Sequence, residues 1–599
     1  MIPASFDPQA ALKNEKRLRL RQRTRNLLPA APFVLPGLIL ACVFVVYPML
    51  FNIRISFSDY QIVQRTMTWV GLDNYVALFT ERGDRLLLAI RNNFLYAFVT
   101  TPFIMLFGLI FAVMVNSLKR SQLFFRTCFY LPVITSWVIV GNVFAYMFNA
   151  GGAGLVNYLL KDVLGLLPAY VPWLNRTWTA NLVIWLLGIW KNIGWAMVIY
   201  LAGLQGISND LYEASMLDGA SRVQQFWRIT VPLLKSTTFY VLVNMVIGSF
   251  GVFIQVMMLT SGNPRGTTSV LQYLLYDKSF NLFQFGQGAA IGMITALLVL
   301  LTTVVLNQVF HTEGGKGRMK TLGKTLFWLV LIVSVIVFIL PFWFMLCNSF
   351  EEFSYVLPIP PHLVPSRISF AAYEHVLSQS DLPRAAYNSV VITLLTACFT
   401  VLIASLSAYG FARIDFLGRE VLFRIYLFTL MLPGFLGIIP QFLVLQGIGT
   451  AKNGLIGTKA GLILLYVGAG ICGNTFFLRG HMAALPKELE EAVKIDGGGH
   501  MTTFFRVMLP LALPSIGTLA IFCLQGTWEE FFSAKVILGA VANQITLPVM
   551  IQSLKGAHAT RWEWIFSASI LAQIPMILLF AVFQKRFVVS GLSDGSVKA

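Results

Sequence analysis

The chain has 599 residues, of which 57% are hydrophobic and only 12% are charged, and its formal net charge at pH 7 is +18. A soluble globular domain carries about 25% charged residues, so this composition excludes a soluble enzyme and indicates an integral membrane protein. The basic residues lie mainly in short loops between apolar runs, which favours a membrane topology signal over a nucleic-acid-binding surface. The six cysteines and six histidines show no metal-ligand spacing, so the sequence predicts no metal site.

Residues 1–30 are predicted to form a basic cytoplasmic arm. Its basic residues are Lys13, Lys16, Arg17, Arg19, Arg21, Arg23 and Arg25. A helical arm of this kind would lie on anionic lipid headgroups, and a disordered tail is the alternative. No small-residue cleavage site follows at the distance typical of a signal peptide, so the next apolar run is expected to be an uncleaved first span.

Twelve apolar runs approach the roughly 20 residues that a helix needs to cross a bilayer. Six of them are predicted at about 31–53, 94–117, 127–149, 180–206, 237–260 and 288–310. The other six are predicted at about 326–347, 389–412, 425–447, 460–478, 512–536 and 566–584. A basic connector at 311–325 separates the two sets, and residues 151–179 are predicted to form an additional outer segment of the first set.

The order of these runs predicts an all-α integral membrane fold of about 12 transmembrane helices. Because six is an even number, each half begins and ends on the same side of the membrane. The two halves, 31–310 and 326–599, are therefore predicted to be parallel repeats related by an axis along the membrane normal. The distribution of Lys and Arg places both termini and the connector in the cytoplasm.

One polar segment occurs in both halves, between the fourth and fifth runs. Each copy has a Glu-Ala pair, then a glycine and then a proline, with the same spacing in both. The first copy is Glu213, Ala214, Gly219 and Pro232, and the second is Glu491, Ala492, Gly497 and Pro510. One constant offset in residue number relates the four pairs, so each position of the first copy has an equivalent in the second.

This pattern predicts two short helices in each copy, joined by the glycine. A glycine just past the last helical turn adopts a left-handed conformation that ends the helix. The first helices are predicted at about 209–218 and 486–496, with Pro486 in the first turn of the latter. The second helices are predicted to end at the two prolines, which restrict the residue before them. Both copies are expected on the cytoplasmic side.

The spacing of this segment resembles the coupling loop, or EAA motif, of ABC importer permeases. Further stretches resemble the carbohydrate permeases of the maltose-transporter type. Trp69–Tyr75 and Thr260–Pro264 are similar to motifs of the larger permease subunit of that family. Ala408–Arg413, Trp528–Phe531 and Gln584–Leu592 are similar to motifs of the smaller subunit. The chain therefore resembles a larger-subunit-like first permease domain and a smaller-subunit-like second one in a single polypeptide, and Met319 stands where a separate second subunit would start.

Two departures limit the resemblance. Glu529 stands where the family usually has an amide, and the large periplasmic domain of the maltose system's larger subunit is missing. Maltose itself is therefore not implied.

The resemblance implies a translocation subunit of an ATP-driven importer for a sugar, an oligosaccharide or a related polyol, working by alternating access in a bacterial or archaeal plasma membrane. The implied partners are two ABC ATPase subunits docked on the two coupling loops and an extracytoplasmic solute-binding protein, towards which Ala542–Trp564 would reach. ATP and Mg²⁺ would be bound by the partner ATPase, and this chain would bind no cofactor and catalyse no reaction. In agreement, Gly323-Lys324-Thr325 lacks the glycine that a P-loop requires five residues earlier, where Arg318 stands.

Polar residues within the apolar runs are candidates for the solute pathway, because such residues are costly in a bilayer. They are Lys191, Asn192, Trp195, Asn244, Ser249, Gln255 and Glu529. By position, the resemblance places Asn192, Trp195, Ser249 and Val252 along the family's sugar site. Hydrogen bonding between helices and interfacial tryptophans are the alternative explanation for each of them.

Two other functions fit a chain of six plus six helices. One is a secondary transporter driven by an ion gradient, and the other is a non-transporting membrane assembly subunit. The secondary-transporter class would have a Gly/Asp/Arg-rich loop between its second and third spans. Here that loop is Lys119-Arg120-Ser121-Gln122, which argues against this class.

Overall fold

The structure is a computed structural model that describes residues 8–62, 64–80, 83–118, 121–310, 324–352, 357–430, 434–448, 454–539, 541–556 and 560–589. Most of the predicted connector, with Met319, lies outside the described residues. Lys119 and Arg120 of the loop after the second span and the end of the C-terminal motif beyond Val589 also lie outside them.

The fold is almost entirely helical, and all twelve predicted spans correspond to helices. Nine helices of the described part are long and apolar enough to cross a bilayer. They are span 1 (Leu27–Ser56), span 2 (Arg85–Asn116), span 4 (Thr177–Gln205), span 6 (Phe285–Leu306), span 7 (Trp328–Asn348), span 8 (Leu382–Arg413), span 10 (Lys459–Ala484), span 11 (His500–Glu529) and span 12 (Trp562–Phe583).

The remaining three predicted spans are interrupted helices. Span 5 consists of Arg222–Leu233 and Lys235–Phe250, which meet at an angle of 63°. Span 3 consists of Gln122–Tyr130 and Trp137–Met147, and span 9 of Arg419–Leu430 and Ile438–Gly447. Pro132 lies in the gap of span 3, where its missing N–H interrupts the helical ladder. The third span of each half is thus broken, which a count of apolar residues does not reveal.

Shorter elements connect the spans. The strands β1 (Ser58–Gln61) and β2 (Thr66–Trp69) form an antiparallel hairpin after span 1 that the sequence analysis did not predict. The short helices are Asp73–Thr80, Leu155–Asn157, Asn209–Leu217, Ile254–Leu259, Leu271–Tyr276, Ala371–Ser378, Glu488–Ile495, Phe532–Leu538 and Leu547–Ser553. The predicted outer segment 151–179 is organised around buried Asn157, which bonds the backbone of Asn149, Ala150 and Val171.

The first span of each half packs against the other half. The ring of Phe33 in span 1 lies 4.9 Å from that of Tyr409 in span 8. Gly410 permits this approach, because a Cβ there would meet Val34 Cγ2 at 2.6 Å. Conversely, Phe338 in span 7 packs on Phe129 of span 3 at 5.1 Å. The hydrophobic core is therefore shared between the halves.

The basic arm forms a helix, Pro8–Arg25, that leads into span 1. Arg23 Nε lies 3.0 Å from Asp415 Oδ2, and the Leu417 amide donates to the Arg23 carbonyl at 3.1 Å. Asn26 Nδ2 donates to the Asp415 carbonyl at 2.9 Å. The N-terminal end of span 1 is thereby attached to the loop between spans 8 and 9. Of the two alternatives for residues 8–25, the structure has the helix.

Candidate functional site

The first copy of the repeated segment forms a capped helix, Asn209–Leu217, which we name the first loop helix. Ser208 Oγ accepts a hydrogen bond from the Asp210 amide at 3.2 Å and caps its N-terminus. Gly219 has a φ of +78° just past its C-terminus, and its amide donates to the Met216 carbonyl at 3.0 Å. The left-handed glycine that the spacing predicts is confirmed.

Neutral hydrogen bonds hold the first loop helix to the start of span 5. The Tyr212 hydroxyl lies 2.9 Å from Thr230 Oγ1. Gln225 Nε2 donates to the Tyr212 carbonyl at 3.0 Å and to Ser215 Oγ at 2.8 Å. No charged group takes part in these contacts.

The second copy forms the second loop helix, Glu488–Ile495, which also ends on a left-handed glycine. Gly497 has a φ of +77°, and its amide donates to the Lys494 carbonyl at 3.1 Å. Three glutamates lie in the first turn, where they interact favourably with the positive end of the helix dipole. Pro486 precedes this helix and is not in its first turn, so that prediction is wrong.

An arginine of span 8 contacts the second loop helix. Arg413 Nε lies 3.2 Å from Glu490 Oε1, and both side chains are almost completely buried. Burial raises the pKa of the Glu490 carboxyl, and the charge of Arg413 opposes that rise. The sequence analysis named Arg413 as part of a motif but missed this contact. Glu490 and Tyr212 stand at equivalent positions of the two copies. A polar side chain at this position in both copies was the one sequence feature that could have predicted such a contact.

The outward face of both loop helices is apolar at its tip. Leu217 is 90% exposed, and Ile495, at the equivalent position of the second copy, is 85% exposed. Glu213, Ala214, Glu491 and Ala492 are exposed as well. A large aliphatic side chain is therefore exposed at the same place in both copies.

The two prolines do not end the helices that precede them, contrary to the prediction. In each copy a π-helical turn, Phe226–Thr230 or Phe504–Met508, comes just before the proline. The helix then continues through Pro232 to Leu233, and through Pro510 along the whole of span 11. A wider turn accommodates a residue that lacks an N–H, so the chain is not broken there.

Lys191 is buried in span 4 and bonds the backbone of span 3. Its Nζ donates to the carbonyls of Pro132 at 2.9 Å, Val133 at 3.1 Å and Thr135 at 2.5 Å. Glu529 Oε2 lies 4.0 Å from the same nitrogen. The ammonium group therefore occupies the gap of span 3 and links spans 3, 4 and 11. Lys191 and Glu529, both predicted as pathway residues, thus lie beside each other in a largely buried position.

Glu530 follows span 11 and caps the short helix Phe532–Leu538. Its carboxylate accepts hydrogen bonds from the amides of Ser533 at 2.8 Å and Ala534 at 3.1 Å, and from the Tyr466 hydroxyl. The equivalent break in the first half falls at Val252, between Phe250 and Ile254. The chain is thus interrupted at equivalent positions, at the C-terminal ends of spans 5 and 11.

Two of the predicted pathway residues, Trp195 and Asn244, both contact Tyr240. Trp195 of span 4 stacks on Tyr240 of span 5 with ring centroids 6.2 Å apart. Asn244 Nδ2 donates to the Tyr240 carbonyl at 2.8 Å. Asn192 is half-buried one turn before Trp195 and bonds the Gly188 carbonyl of its own helix at 2.8 Å. Tyr240, which is 52% exposed, was missed by the sequence analysis.

The other predicted pathway residues are packed between helices. Ser249 and Val252 are each 1% exposed, and Ser249 Oγ bonds the Val246 carbonyl at 2.6 Å. Gln255 is 7% exposed and interacts with the hydroxyl of Tyr96. Trp190, next to Lys191, is 6% exposed and donates to the Val337 carbonyl at 3.2 Å. In this conformation these groups hold helices together.

A cavity of about 550 Å³ lies where spans 3, 7 and 12 meet, and it includes none of the seven predicted pathway residues. Its aromatic walls are Tyr146, Trp562 and Phe566, and its polar groups are Asn348, Glu351, Glu352, His362 and Glu563. Its carboxylates are already paired: Glu351 with His362 at 2.8 Å, Glu352 with Arg367 at 3.4 Å and Glu563 with Arg561 at 2.6 Å. The cavity therefore offers aromatic surface beside polar groups that already have hydrogen-bond or ion-pair partners.

The segment Ala542–Trp564 is partly anchored in the protein. The side chains of Leu547–Ile551 are buried, and Lys555 Nζ donates to the Met258 carbonyl at 2.9 Å. Residues 557–559 of this segment lie outside the described residues.

Comparison with known proteins gives consistent results. The model of the family described as binding-protein-dependent transport system inner membrane component matches residues 104–346 and 400–589. The osmoprotective compounds uptake permease protein GgtC of Synechocystis is 34% identical over 279 residues, which are 46% of this chain and 96% of that protein. The arabinooligosaccharides transport system permease protein AraP of Bacillus subtilis is 31% identical over 313 residues, which are 52% of this chain and 96% of that protein.

A chain in the crystal structure of a bacterial ABC transporter that imports the acidic polysaccharide alginate is 26% identical, with a TM-score of 0.42, and the match covers 48% of this chain and 96% of that chain. Both curated relatives match about half of this chain over nearly their own full length. The family model likewise matches two separate segments, as expected of two units in one polypeptide.

Proposed function

This chain belongs to the family of binding-protein-dependent transport system inner membrane components, and on that premise we propose that it is the membrane-spanning translocation subunit of an ABC importer for a sugar, an oligosaccharide or a related polyol. Both halves of the translocation unit are present in the one polypeptide. Family membership favours this function over an ion-driven secondary transporter and over a non-transporting assembly subunit. The relative described as a permease for arabinooligosaccharides supports the solute class.

The observation that carries the proposal is the pair of equivalent loop helices with exposed apolar tips. Each would insert into a cleft of one partner ATPase subunit, and burying Leu217 or Ile495 there would contribute about 1.5–3 kcal/mol. Glu213 and Glu491, which are exposed beside these tips, would accept hydrogen bonds from donors of the cleft. Both loop helices and both termini then lie in the cytoplasm.

Closing of the two ATPases on ATP would move the loop helices towards each other and switch the pathway from inward-facing to outward-facing. ATP and Mg²⁺ are bound and used by the partner chains in this scheme. A solute-binding protein delivers the solute to the opposite face of the membrane, where residues 542–564 and the cavity beside Trp562 would lie. The stacked pair of Trp195 and Tyr240 offers aromatic surface suited to the C–H face of a sugar ring.

The test is co-purification of the partner ATPase with tip variants of this chain. Leu217→Asp and Ile495→Asp should each weaken ATPase binding by about 10- to 100-fold, since each loses one buried aliphatic contact. Leu166→Asp is the matched control, because Leu166 is 68% exposed in the outer segment 151–179. Unchanged ATPase binding by the double variant Leu217→Asp/Ile495→Asp would contradict the proposed docking surface.

Uptake in proteoliposomes tests the transport function itself. Vesicles that contain this chain, the ATPase and the solute-binding protein should accumulate labelled oligosaccharide only when ATP is supplied on the loop-helix side. Accumulation without ATP in an imposed proton or sodium gradient would instead establish a secondary transporter.

A further inference from the structure

The guanidinium group of Arg413 joins three elements at the inner face of the second half. Arg413 is the last residue of span 8, and it donates through Nε and Nη2 to the Met482 carbonyl of span 10 at 2.9 and 2.6 Å. Nη2 also donates to the Leu485 carbonyl, just before the second loop helix. Its contact with Glu490 adds that helix itself.

A second arginine makes the reverse connection. Arg479 of span 10 donates through Nε to the Phe411 carbonyl of span 8 at 3.3 Å. Its guanidinium lies 3.7 Å from the ring centre of Phe423 in span 9, and Nη2 lies 3.6 Å from Glu420. Spans 8, 9 and 10 are therefore cross-linked at their inner ends by two cations.

The first half is built differently at the equivalent positions. Tyr212 stands in place of Glu490, and its hydroxyl contacts Thr230 rather than a charge on span 2. The last turn of span 4 has no basic residue. Span 5 bends by 63° at Leu234, whereas span 11 runs as one helix through the equivalent position. Among the described residues, the contacts that hold the first loop helix are thus neutral, and they lie beside a bend.

These contacts differ in how strongly they resist movement. The side chains of Arg413 and Glu490 are only 3% and 10% exposed, so separating them leaves two opposite charges uncompensated in a poorly hydrated place, although Arg413 keeps its carbonyl partners. The hydrogen bonds of Tyr212 and Gln225 are neutral, so breaking them exposes no uncompensated charge, although Gln225 is also buried.

We propose that Arg413 is a positioning residue that makes the second loop helix move as one rigid block with spans 8 and 10, while the first loop helix transmits the same movement through the bend of span 5. The two halves are then unequal in coupling ATPase motion to the pathway. This inference rests on the proposed function, because it concerns how the docked ATPase acts on the spans.

The first experiment measures solute imported per ATP hydrolysed in proteoliposomes. Glu490→Gln keeps the Arg413–carbonyl bonds but removes the charge on the loop helix, and it should lower this ratio by about fivefold or more. Tyr212→Phe is the matched variant in the first half and should lower it by less than about twofold. Glu490→Asp, which keeps the negative charge on the loop helix, should retain part of the ratio, whereas a merely structural role would make it no better than Glu490→Gln.

The second experiment follows the loop helices without any partner. Nitroxide labels are placed at Asp218 or Asp496, the exposed residues that end the two helices at equivalent positions, in a chain whose native cysteines are replaced. The label at Asp496 should be less mobile than that at Asp218, and Glu490→Gln should remove the difference. Arg413→Lys should do so in part, because lysine keeps the charge but loses the planar fork.

The outcomes distinguish failure of the inference about Arg413 from failure of the proposed importer function. Equal mobility of both labels in the unmodified chain, or equal losses of coupling in Glu490→Gln and Tyr212→Phe, would overturn the inference while leaving the importer intact. If the unmodified chain binds no ATPase and its uptake needs no ATP, the proposed function itself has failed.

Discussion

At the scale of single residues, a charged side chain inside the bilayer finds its partners in the backbone. Lys191 was predicted as a pathway residue because a lone ammonium group facing lipid is improbable. The structure shows its three donors bonded to carbonyls at the break in span 3, of which that of Pro132 also accepts from the Thr135 amide. The break in span 3 and the cation of span 4 therefore belong to one arrangement. In this arrangement the lysine holds the two spans together.

Replacing this lysine should destabilise the protein. Lys191→Met removes the donor for three buried carbonyls and leaves Glu529 without its cation, for which we expect a loss of about 3–5 kcal/mol. The measurement is thermal unfolding of the detergent-solubilised protein, followed by size-exclusion chromatography. Lys235→Met, at an exposed position, is the control and should change stability by less than about 0.5 kcal/mol.

The double variant Lys191→Met/Glu529→Gln removes both charges and should recover part of the lost stability. If Lys191→Met is as stable as the unmodified protein but loses solute uptake, the lysine acts in transport and the structural assignment is wrong.

At the scale of elements, the repeated segment shows which local features its glycine and proline determine. The glycine of each copy ends its helix with a positive φ, as the spacing predicted, because a C′ residue in this conformation satisfies the last carbonyls of a helix. The proline of each copy does not end a helix, because the π-helical turn before it absorbs the missing hydrogen bond. A local residue preference predicted the first feature and failed on the second.

The effect of substituting Gly219 and Gly497 should depend only on whether the new residue tolerates a positive φ. A Cβ at Gly219 or Gly497 would meet nothing within 4 Å, so space does not restrict these positions. Valine is strained at a φ near +78°, whereas asparagine adopts this region readily. Gly219→Val/Gly497→Val should therefore lose ATPase co-purification, and Gly219→Asn/Gly497→Asn should keep most of it. Equal behaviour of the two double variants would show that the left-handed turn is not what matters.

The number and order of the spans were predictable from the sequence, but the contacts of the loop helices were not. Apolar length identifies a helix in the bilayer, and each of the twelve predicted runs overlaps a helix, although spans 5 and 11 begin more than ten residues earlier than predicted. The partner of Glu490 is Arg413, two spans earlier in the chain, and no periodicity connects the two positions. Similarly, burial of Ser249 and Val252 depends on how spans 2, 4 and 5 pack, so the sequence did not distinguish pathway residues from packing residues.

At the scale of the whole molecule, the halves exchange their first spans. Span 1 packs on spans 8 and 10, and span 7 packs on spans 3 and 12. Neither half completes its core alone, because residues of both contribute to the main hydrophobic cluster. The covalent connection between the halves is therefore less important for association than the exchanged helices.

A split protein tests this conclusion. Co-expressed fragments 1–318 and 319–599 should assemble and co-purify, because the shared core remains intact. Gly410→Leu in the second fragment should reduce assembly, since its side chain would meet Val34 and Phe33 of span 1. Fragments that do not associate, or that associate equally well with Gly410→Leu, would contradict the role given to the exchanged span.

The exchange of first spans also constrains how the chain is made. Phe33 and Val34 need the side chains around Tyr409, yet six further spans are synthesised before span 8 begins. At a synthesis rate of about 5–20 residues per second, the apolar face of span 1 waits roughly 20–70 s in the membrane before its partner emerges from the ribosome. Lipid, or the insertion machinery, must cover that face during the delay, and the earliest helix to enter the bilayer is among the last to reach its final neighbours.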